Sequence, residues 1–428
     1  METETLKIIN GRIVTPYRVI HGGTLLIRNG LIAAISRPGG LGNAGHEGVR
    51  GNAGEDEPVS GVVGSGGAAS EGAVIDAGGN FVAPGFIDIH VHGGGGHDFM
   101  DGTETAFLKI AETHARYGTT AMVPTTLTSE KEELLNTLSL YEQANAKNHR
   151  GAQFLGIHLE GPYFALSQRG AQDPRYIREP DPAEYQEIIA SSTSIRRWSA
   201  APELKGAMAF GRYLRSKGIL AAVAHTDAIY EDVVEAFENG YSLATHLYSC
   251  MSGVTRRNAF RYAGVVEAAY LIDGMDAEVI ADGIHLPQPL LKLAYKIKGP
   301  DRIALITDSM RAAGMPPGES ILGSLHDGLK VIVEDGVAKL PDRSAFAGSV
   351  ATADRLVRNM INLAEVPVAE AIRMITSTPA RIMGVEDRKG SLTEGKDADV
   401  VIFDDQVNVQ KTIVRGKVIY DRDRETNN

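Results

Sequence analysis

The chain has 428 residues, 43% of them hydrophobic, and a formal net charge of −11. This acidic balance argues against a general nucleic-acid binder, which normally carries a basic face. A single cysteine, Cys250, excludes an internal disulfide, and with neither a signal-peptide pattern in residues 1–10 nor an apolar run of about 18 residues we expect a cytoplasmic protein that does not span a membrane.

The amino-terminal part of the chain predicts short strands at residues 6–14, 23–28 and 31–36, with Asn29-Gly30 as a hairpin turn. Residues 38–72 follow and are rich in Gly, Ala, Ser and Glu, with almost no large apolar side chains. Because such a segment buries too little surface to offset its ordering entropy, we predict a flexible insertion. A lid or a partner-binding arm is the alternative. Strand character returns at residues 73–82.

From residue 84 onward, apolar strand-like segments alternate with helical ones. The eight predicted strands are residues 86–91, 119–125, 154–159, 197–201, 220–224, 242–246, 277–281 and 302–307, and helical patterns lie at 104–117, 130–147, 204–217 and 230–239. Eight such units predict an α/β protein with a (β/α)8 barrel over residues 84–384, whose functional side chains lie at the carboxyl ends of the strands. A doubly wound open sheet, with its ligand at one switch point, is the alternative.

The carboxyl-terminal part begins with a predicted hairpin at residues 329–340, a turn at Gly348 and helices near 353–363 and 367–375. Strand-like segments return at 399–403, 407–414 and 417–420. We expect the β-rich ends of the chain, residues 1–83 and 385–428, to meet in one small β-sandwich-like domain beside the barrel.

Residues with metal affinity recur where the predicted strands end. His90 and His92, one residue apart, point to the same side of a strand and can reach one metal ion, and we expect the glycines at 93–96 to leave room for a ligand. The other candidates at strand ends are Glu160, His225, His246, Asp282, His285 and Asp308. One histidine in an apolar strand is more often a packed core residue, but all the strands with such an ending would each need a separate buried partner.

The donor set predicts a centre for one or two divalent ions. Imidazole nitrogens and carboxylate oxygens without thiolates suit zinc, iron, manganese or cobalt, and two ions can share Glu160. Asp308 is positioned to accept a proton from water and pass it to a leaving group, or to serve as a plain ligand. His158 lies two residues before Glu160, so it either supports the metal ligands or is a packed histidine.

The order of these motifs closely resembles the amidohydrolase superfamily and, within it, the N-acetylglucosamine-6-phosphate deacetylase family. The matching segments are residues 85–88, 158–162, 245–248, 281–285, 307–308 and 347–349. The resemblance implies that Glu160, His225 and His246 bind the principal metal. It further implies that His90 and His92 bind a second ion, as in one branch of the family, and that Asp308 is the catalytic acid and base.

The resemblance also implies a set of substrate contacts. They are Ala171, Gln172, Ser249, Cys250, Arg256, Arg257, His285, Phe346, Ala347 and Gly348. Three of these places depart from the family: Gln172 replaces a common histidine, Ser249-Cys250 replaces Asn-Ala, and the stretch from Arg256 is one residue longer. Either Arg256 or Arg257 therefore matches the phosphate-binding arginine, which the family delivers across a homodimer interface.

The implied reaction is hydrolysis of N-acetylglucosamine 6-phosphate to glucosamine 6-phosphate and acetate, in amino-sugar catabolism. The partner is then a small amino-sugar phosphate, with neither nucleic acid nor membrane involved. The alternatives are a deacetylase of a galactosamine-type phosphate, an amidohydrolase acting on a cyclic amide or an N-acyl amino acid, and an inactive scaffold that keeps the fold.

Overall fold

The computed structural model describes residues 4–37 and 72–425. Apart from Gly72, the predicted insertion at 38–72 lies outside the described residues. Within the described part of the chain, the helices are too short or too polar to cross a membrane.

Strands from both ends of the chain share one sheet. Its order is Lys417–Asp421, Val409–Val414, Val400–Phe403, Phe81–Pro84, Thr5–Val14, Val19–Arg28 and Leu31–Ser36, and Ala73–Asp76 also pairs with Thr5–Val14. The Asn29-Gly30 turn is confirmed, with φ of 50° and 76°, the left-handed values that a two-residue hairpin of this kind requires.

The strands do not divide into the two separate sheets of a sandwich, because Thr5–Val14 joins the two halves. This long strand pairs with Val19–Arg28 along one edge and with Ala73–Asp76 and then Phe81–Pro84 along the other. Apolar residues from both halves pack into one core, which includes Ile13, Val82 and Val400. We refer to this part as the β unit.

The middle of the chain forms an α/β unit of eight parallel strands. They are Phe86–Val91, Thr119–Pro124, Ile157–Glu160, Ile195–Ala200, Leu220–Val223, Tyr241–Ala244, Asp276–Val279 and Ile303–Leu305. The first two pair with each other, and the last six form one sheet in chain order. A doubly wound sheet requires a point at which the strand order reverses, and this described sheet has no such point.

Two seams connect these sheets. A parallel bridge between Thr125 and His158 joins the second strand to the third. At the other seam, the N–H of Asp308 donates to the carbonyl of His90 at 2.9 Å, and the N–H of His92 donates to the carbonyl of Ser309 at 2.9 Å. The residues following the eighth strand are thereby held against the end of the first.

Several strand boundaries differ from the prediction. The third predicted strand is two pieces: Gln153–Phe154 pairs with Thr119–Pro124, whereas Ile157–Glu160 pairs with Ile195–Ala200. Gly156, with φ of 125°, allows the backbone to turn between them. The strands Asp276–Val279 and Ile303–Leu305 end two residues before the predicted ends, so their polar residues lie in the loops beyond.

Helices cover the outside of the parallel strands. They are Glu104–Ala115, Lys131–Lys147, Pro182–Ser191, Ala207–Ser216, Tyr230–Glu238, Val265–Leu271, Gln288–Lys298, Ala353–Asn362, Val368–Ile375 and Ser377–Ile382, with Arg422–Glu425 at the end of the chain and a 3₁₀ turn at Leu166–Gln168. In Ala207–Ser216, for example, Phe210 and Leu214 lie one turn apart and are fully buried against the core.

Short strand pairs lie in the loops that connect the larger elements. Gly93–Gly94 pairs with His97–Asp98, Thr255–Arg257 with Phe260–Tyr262, and Gly318–Leu322 with Leu329–Glu334, which also pairs with Val337–Lys339. The hairpin predicted at 329–340 is thus part of a three-stranded sheet.

Candidate metal centre

Six predicted ligands from five strand ends meet in one buried cluster. His90 Nε2 lies 3.3 Å from a Glu160 carboxylate oxygen, and His92 Nε2 lies 3.4 Å from the other oxygen. Their two Nε2 atoms are 3.3 Å apart, and Asp308 Oδ1 lies within 3.4 Å of both.

The other two histidines contact the same carboxylate. His246 Nε2 lies 3.1 Å and His225 Nε2 3.6 Å from Glu160 Oε1, and the two nitrogens are 3.3 Å apart. Glu160 therefore lies between two histidine pairs, which is the position of a group shared by two ions.

The backbone is unusual at three of these positions. His225, His246 and Asp308 follow their strands with φ of 46°, 31° and 47°, in the left-handed region that non-glycine residues seldom adopt. Each such conformation costs about 1–3 kcal/mol, and such costs concentrate at functional sites. The turn ends strand pairing at the places where the side chains enter the cluster.

The cluster fits a divalent cation. Two triads, His90 with His92 and Glu160, and Glu160 with His225 and His246, have ligand atoms within 4.8 Å of one another, and all five residues are buried. Burial by itself lowers the pKa of His90, but the charges of Glu160 and Asp308 outweigh it and raise that pKa to about 10. The site therefore favours positive charge, and nitrogen and carboxylate donors are those that zinc, iron, manganese and cobalt accept.

A buried ion pair contacts His90 at Nδ1, the ring nitrogen that does not face the cluster. Glu278 Oε2 lies 3.2 Å from His90 Nδ1, which leaves Nε2 directed into the cluster. Arg197 donates to both carboxylate oxygens of Glu278, at 2.9 Å to Oε2, and to the hydroxyl of Thr245 at 2.9 Å. This pair was not predicted from the sequence. Opposite charges inside two of the parallel strands, at 197 and 278, were the available signal.

Gln172 contacts the shared carboxylate directly. Its Oε1 accepts from the backbone N–H of Thr128 at 2.9 Å and from the Thr128 hydroxyl at 2.7 Å, and its Nε2 donates to Glu160 Oε2 at 2.8 Å. Because a backbone N–H can only donate, it fixes the orientation of the amide. The side chain predicted to bind substrate is thus committed to the cluster itself.

A cavity of about 290 Å³ opens onto the cluster. Besides the cluster, its lining includes Ala171, Gln172, Ser249, Cys250, His285, Phe346 and Gly348, all predicted substrate contacts, and also Leu127, Tyr248, Leu322 and Ala345, which were not predicted. Asp282 Oδ2 lies 2.7 Å from His285 Nδ1, so Nε2 remains available for a hydrogen bond. The Phe346 ring packs 4.7 Å from the His285 ring.

Three of the predicted contacts lie elsewhere. Ala347 is fully buried and does not line the cavity. Arg256 and Arg257 are exposed on the hairpin of Thr255–Arg257 and Phe260–Tyr262, away from the cavity lining of their own chain. The structure therefore does not bring either arginine to the cluster within one chain.

The glycines after His92 have a different role from the one expected. A Cβ on Gly93 would lie 2.3 Å from the carbonyl oxygen of His97, and one on Gly94 would lie 2.8 Å from His114 Nε2. At Gly93 and Gly94 the missing side chains admit close packing by the protein itself, which is not the room for a ligand that was expected there.

His158 is a packed residue beside the cluster. Its ring nitrogens lie 2.7 Å from the Ser199 hydroxyl and 3.2 Å from the Thr125 hydroxyl, and its ring stands edge-on to that of His90. Burial, and then the charge of Arg197, hold its pKa well below 6.5, so the ring is neutral.

Residues 81–419 match the model of the amidohydrolase family. The chain is 35% identical over 345 residues to the N-acetylglucosamine-6-phosphate deacetylase of Lysinibacillus sphaericus, covering 80% of this chain and 87% of that protein. It is also 35% identical over 347 residues to the N-acetylgalactosamine-6-phosphate deacetylase of Escherichia coli O157:H7, covering 81% and 89%.

Among solved structures, the chain resembles a mutant of the N-acetyl-D-glucosamine-6-phosphate deacetylase from Mycobacterium smegmatis in complex with N-acetyl-D-glucosamine-6-phosphate. The TM-score is 0.81 at 28% identity, with 98% of this chain and 100% of that one covered.

Proposed function

Because the chain belongs to the amidohydrolase family, we propose that it is a metal-dependent deacetylase of amino-sugar phosphates, which hydrolyses N-acetylglucosamine 6-phosphate to glucosamine 6-phosphate and acetate. The observation that carries the proposal is Glu160, lying between the His90–His92 and His225–His246 pairs beside Asp308.

In this proposal Glu160, His225 and His246 hold the principal divalent ion, and His90, His92 and Asp308 complete a second position. The ion supplies a Lewis acid that polarises the acetyl carbonyl and lowers the pKa of water. The support is the convergence of buried nitrogen and carboxylate donors on one point. One or two ions of zinc, iron, manganese or cobalt fit these donors.

Asp308 moves the proton. Burial raises its pKa, but His90 and His92 outweigh burial and keep the carboxyl pKa below its usual value, so Asp308 is ionised and can accept a proton from the attacking water. It then delivers that proton to the sugar nitrogen as the C–N bond breaks. His285, held at Nδ1 by Asp282, presents Nε2 to the substrate carbonyl.

The sugar and its phosphate occupy the cavity beyond the cluster. Ser249, Cys250, Phe346 and Gly348 line it and supply contacts. We propose that the chain forms a homodimer in which Arg256 or Arg257 of one copy meets the phosphate bound by the other. The exposed hairpin supports this, since Phe260 on it is 72% exposed.

A second candidate is deacetylation of N-acetylgalactosamine 6-phosphate. The relative with that activity in its name is as similar to this chain as the glucosamine-type relative is, at 35% identity. The two sugars differ only in the configuration of one hydroxyl, which the same cluster chemistry tolerates.

The proposal also includes a two-domain architecture. Residues 84–384 form a closed (β/α)8 barrel, supported by the hydrogen bonds from Asp308 to His90 and from His92 to Ser309 at the seam. The described residues within 1–83 and 385–428 form the second domain, and the protein acts in the cytoplasm.

The test follows acetate release from the 6-phosphates of N-acetylglucosamine and N-acetylgalactosamine, with unphosphorylated N-acetylglucosamine as the third substrate. We expect turnover of the phosphorylated sugars and a loss of about 10²–10⁴-fold in Asp308→Asn. No acetate from any sugar phosphate with the metal-loaded enzyme refutes the activity and favours a scaffold. Equal turnover by the variant refutes the role of Asp308.

A further inference from the structure

A second and larger cavity, of about 920 Å³, lies at the other end of the parallel strands. Its lining includes Gln153, Ser194, Leu220 and Ser242, which lie at or just before the amino-terminal ends of their strands, whereas the metal centre lies at the carboxyl ends. We call it the arginine cavity, after Arg196, Arg215, Arg388 and Arg415, which all line it.

The charge of this cavity contrasts with that of the protein. Its described lining carries four arginines and no acidic side chain, in a chain whose net charge is −11. The carboxylate of Asp397 approaches Arg388 at 4.0 Å and Arg415 at 3.9 Å, but it also pairs with Lys389 at 2.9 Å. Lys389 also pairs with Asp399, at 2.6 Å, so Asp397 is the one carboxylate of the described residues left to offset the arginines, and the cavity remains positive.

Some hydrogen-bond donors of the cavity lining have no partner within the described structure. In residues 4–37 and 72–425, the guanidinium of Arg196 forms no hydrogen bond or ion pair. Arg215 donates through Nη1 to the carbonyl of Glu238 at 3.1 Å. Gln153 Nε2 is buried without a hydrogen-bond partner in the described structure.

Neutralisation of helix ends does not account for all four arginines. The helices Lys131–Lys147, Ala207–Ser216 and Tyr230–Glu238 end at this face, and cations near helix carboxyl ends are favourable. Arg215 serves that purpose. Arg196 lies in the strand Ile195–Ala200. Arg388 and Arg415 lie in separate loops of the carboxyl-terminal part of the chain, so neither is at a helix end that needs a cation.

We propose that the arginine cavity binds a small phosphorylated molecule with more than one negative charge, at a site separate from the metal centre. Guanidinium groups match phosphate oxygens with paired hydrogen bonds. Phe154, Ile219 and Phe237 also line the cavity and offer apolar surface to the organic part of such a ligand, and the volume exceeds that of the cavity at the metal centre about threefold.

Calorimetric titration of the metal-loaded full chain tests the proposal, with fructose 1,6-bisphosphate and ADP as probes at low ionic strength. We expect one binding event per chain that weakens as salt is added. Arg196→Ala and Arg388→Ala each weaken it by at least about 10-fold, since each removes a charge-assisted contact. Arg212→Ala is the matched control: Arg212 lies on the same helix as Arg215, bonds Asn239 and does not line the cavity.

Binding at the metal centre is distinguished by the double variant Arg256→Ala/Arg257→Ala, which removes both candidate phosphate contacts, and by deacetylation measured in parallel. The proposal is overturned if neither probe binds at about 10 mM, or if the affinity is unchanged in both Arg196→Ala and Arg388→Ala. Loss of binding in that double variant, with binding retained in Arg196→Ala and Arg388→Ala, also overturns it, because the anion then binds at the substrate site. Unliganded thermal unfolding of each variant shows whether the fold is retained.

Discussion

Replacement of Gln172 by methionine is expected to weaken metal binding. Methionine has a similar length but cannot donate to Glu160 Oε2, which now receives a 2.8 Å hydrogen bond from Nε2. A hydrogen bond to a charged group contributes about 1.5–3 kcal/mol. At about 1.4 kcal/mol per tenfold change in affinity, the loss corresponds to roughly 10- to 100-fold in metal affinity, in the range found for groups that orient metal ligands.

The same substitution also affects folding stability. The backbone N–H of Thr128, now bonded to Gln172 Oε1, loses its acceptor in a buried place, at about 1–3 kcal/mol. Metal affinity is measured by competition with a chelator on the metal-free protein, and stability by thermal unfolding of that same form. Gln143→Met, an exposed position on the helix Lys131–Lys147, is the matched control.

The two readouts separate orientation of Glu160 from packing. Thr128→Val removes one of the two donors to Gln172 and should give a smaller loss of metal affinity. If Gln172→Met binds metal within about twofold of the parent while its unfolding temperature falls, Gln172 is a structural residue only, and the reasoning about Glu160 fails.

Three further outcomes are expected. Glu278→Gln leaves Arg197 buried beside a neutral partner and should cost about 3–5 kcal/mol of unfolding free energy, measured in denaturant; a loss below 1 kcal/mol contradicts a tight pair. Burial holds the pKa of His114 below 6.5, so below that pH the unfolded chain binds a proton that the folded chain does not, and stability falls; unfolding temperatures at pH 8, 6.5 and 5 should fall less in His114→Gln than in the parent. Chelator treatment should abolish acetate release and lower the unfolding temperature, because metal binds the folded state alone, and added zinc should restore both; unchanged activity after complete metal removal argues against the centre.

The candidate ligands were predictable because their signal is local. A side chain at the end of an apolar strand points in a direction set by the two-residue repeat, so His90 and His92 had to share a side. The recurrence of His, Glu and Asp after successive strands then indicated a common end, since parallel strands of one sheet finish at one edge.

The partners of those ligands were not predictable in the same way. Gln172 could be placed near the cavity by resemblance, but only the folded chain shows its amide fixed by Thr128 and turned toward Glu160. Glu278 is 188 residues from His90 along the chain. Which residue hydrogen-bonds to a ligand depends on which strands are neighbours in the sheet. A local sequence pattern does not specify those neighbours.

The sequence was sufficient to predict the α/β class, the β character of both chain ends and the candidate metal ligands, because periodicity and residue chemistry are carried by neighbouring positions. Tertiary structure alone decided that Arg256 and Arg257 point away from their own cavity and that four other arginines meet at the opposite end of the strands. The physical reason is that the order and curvature of the strands, which set distances between remote residues, arise only when the whole core packs.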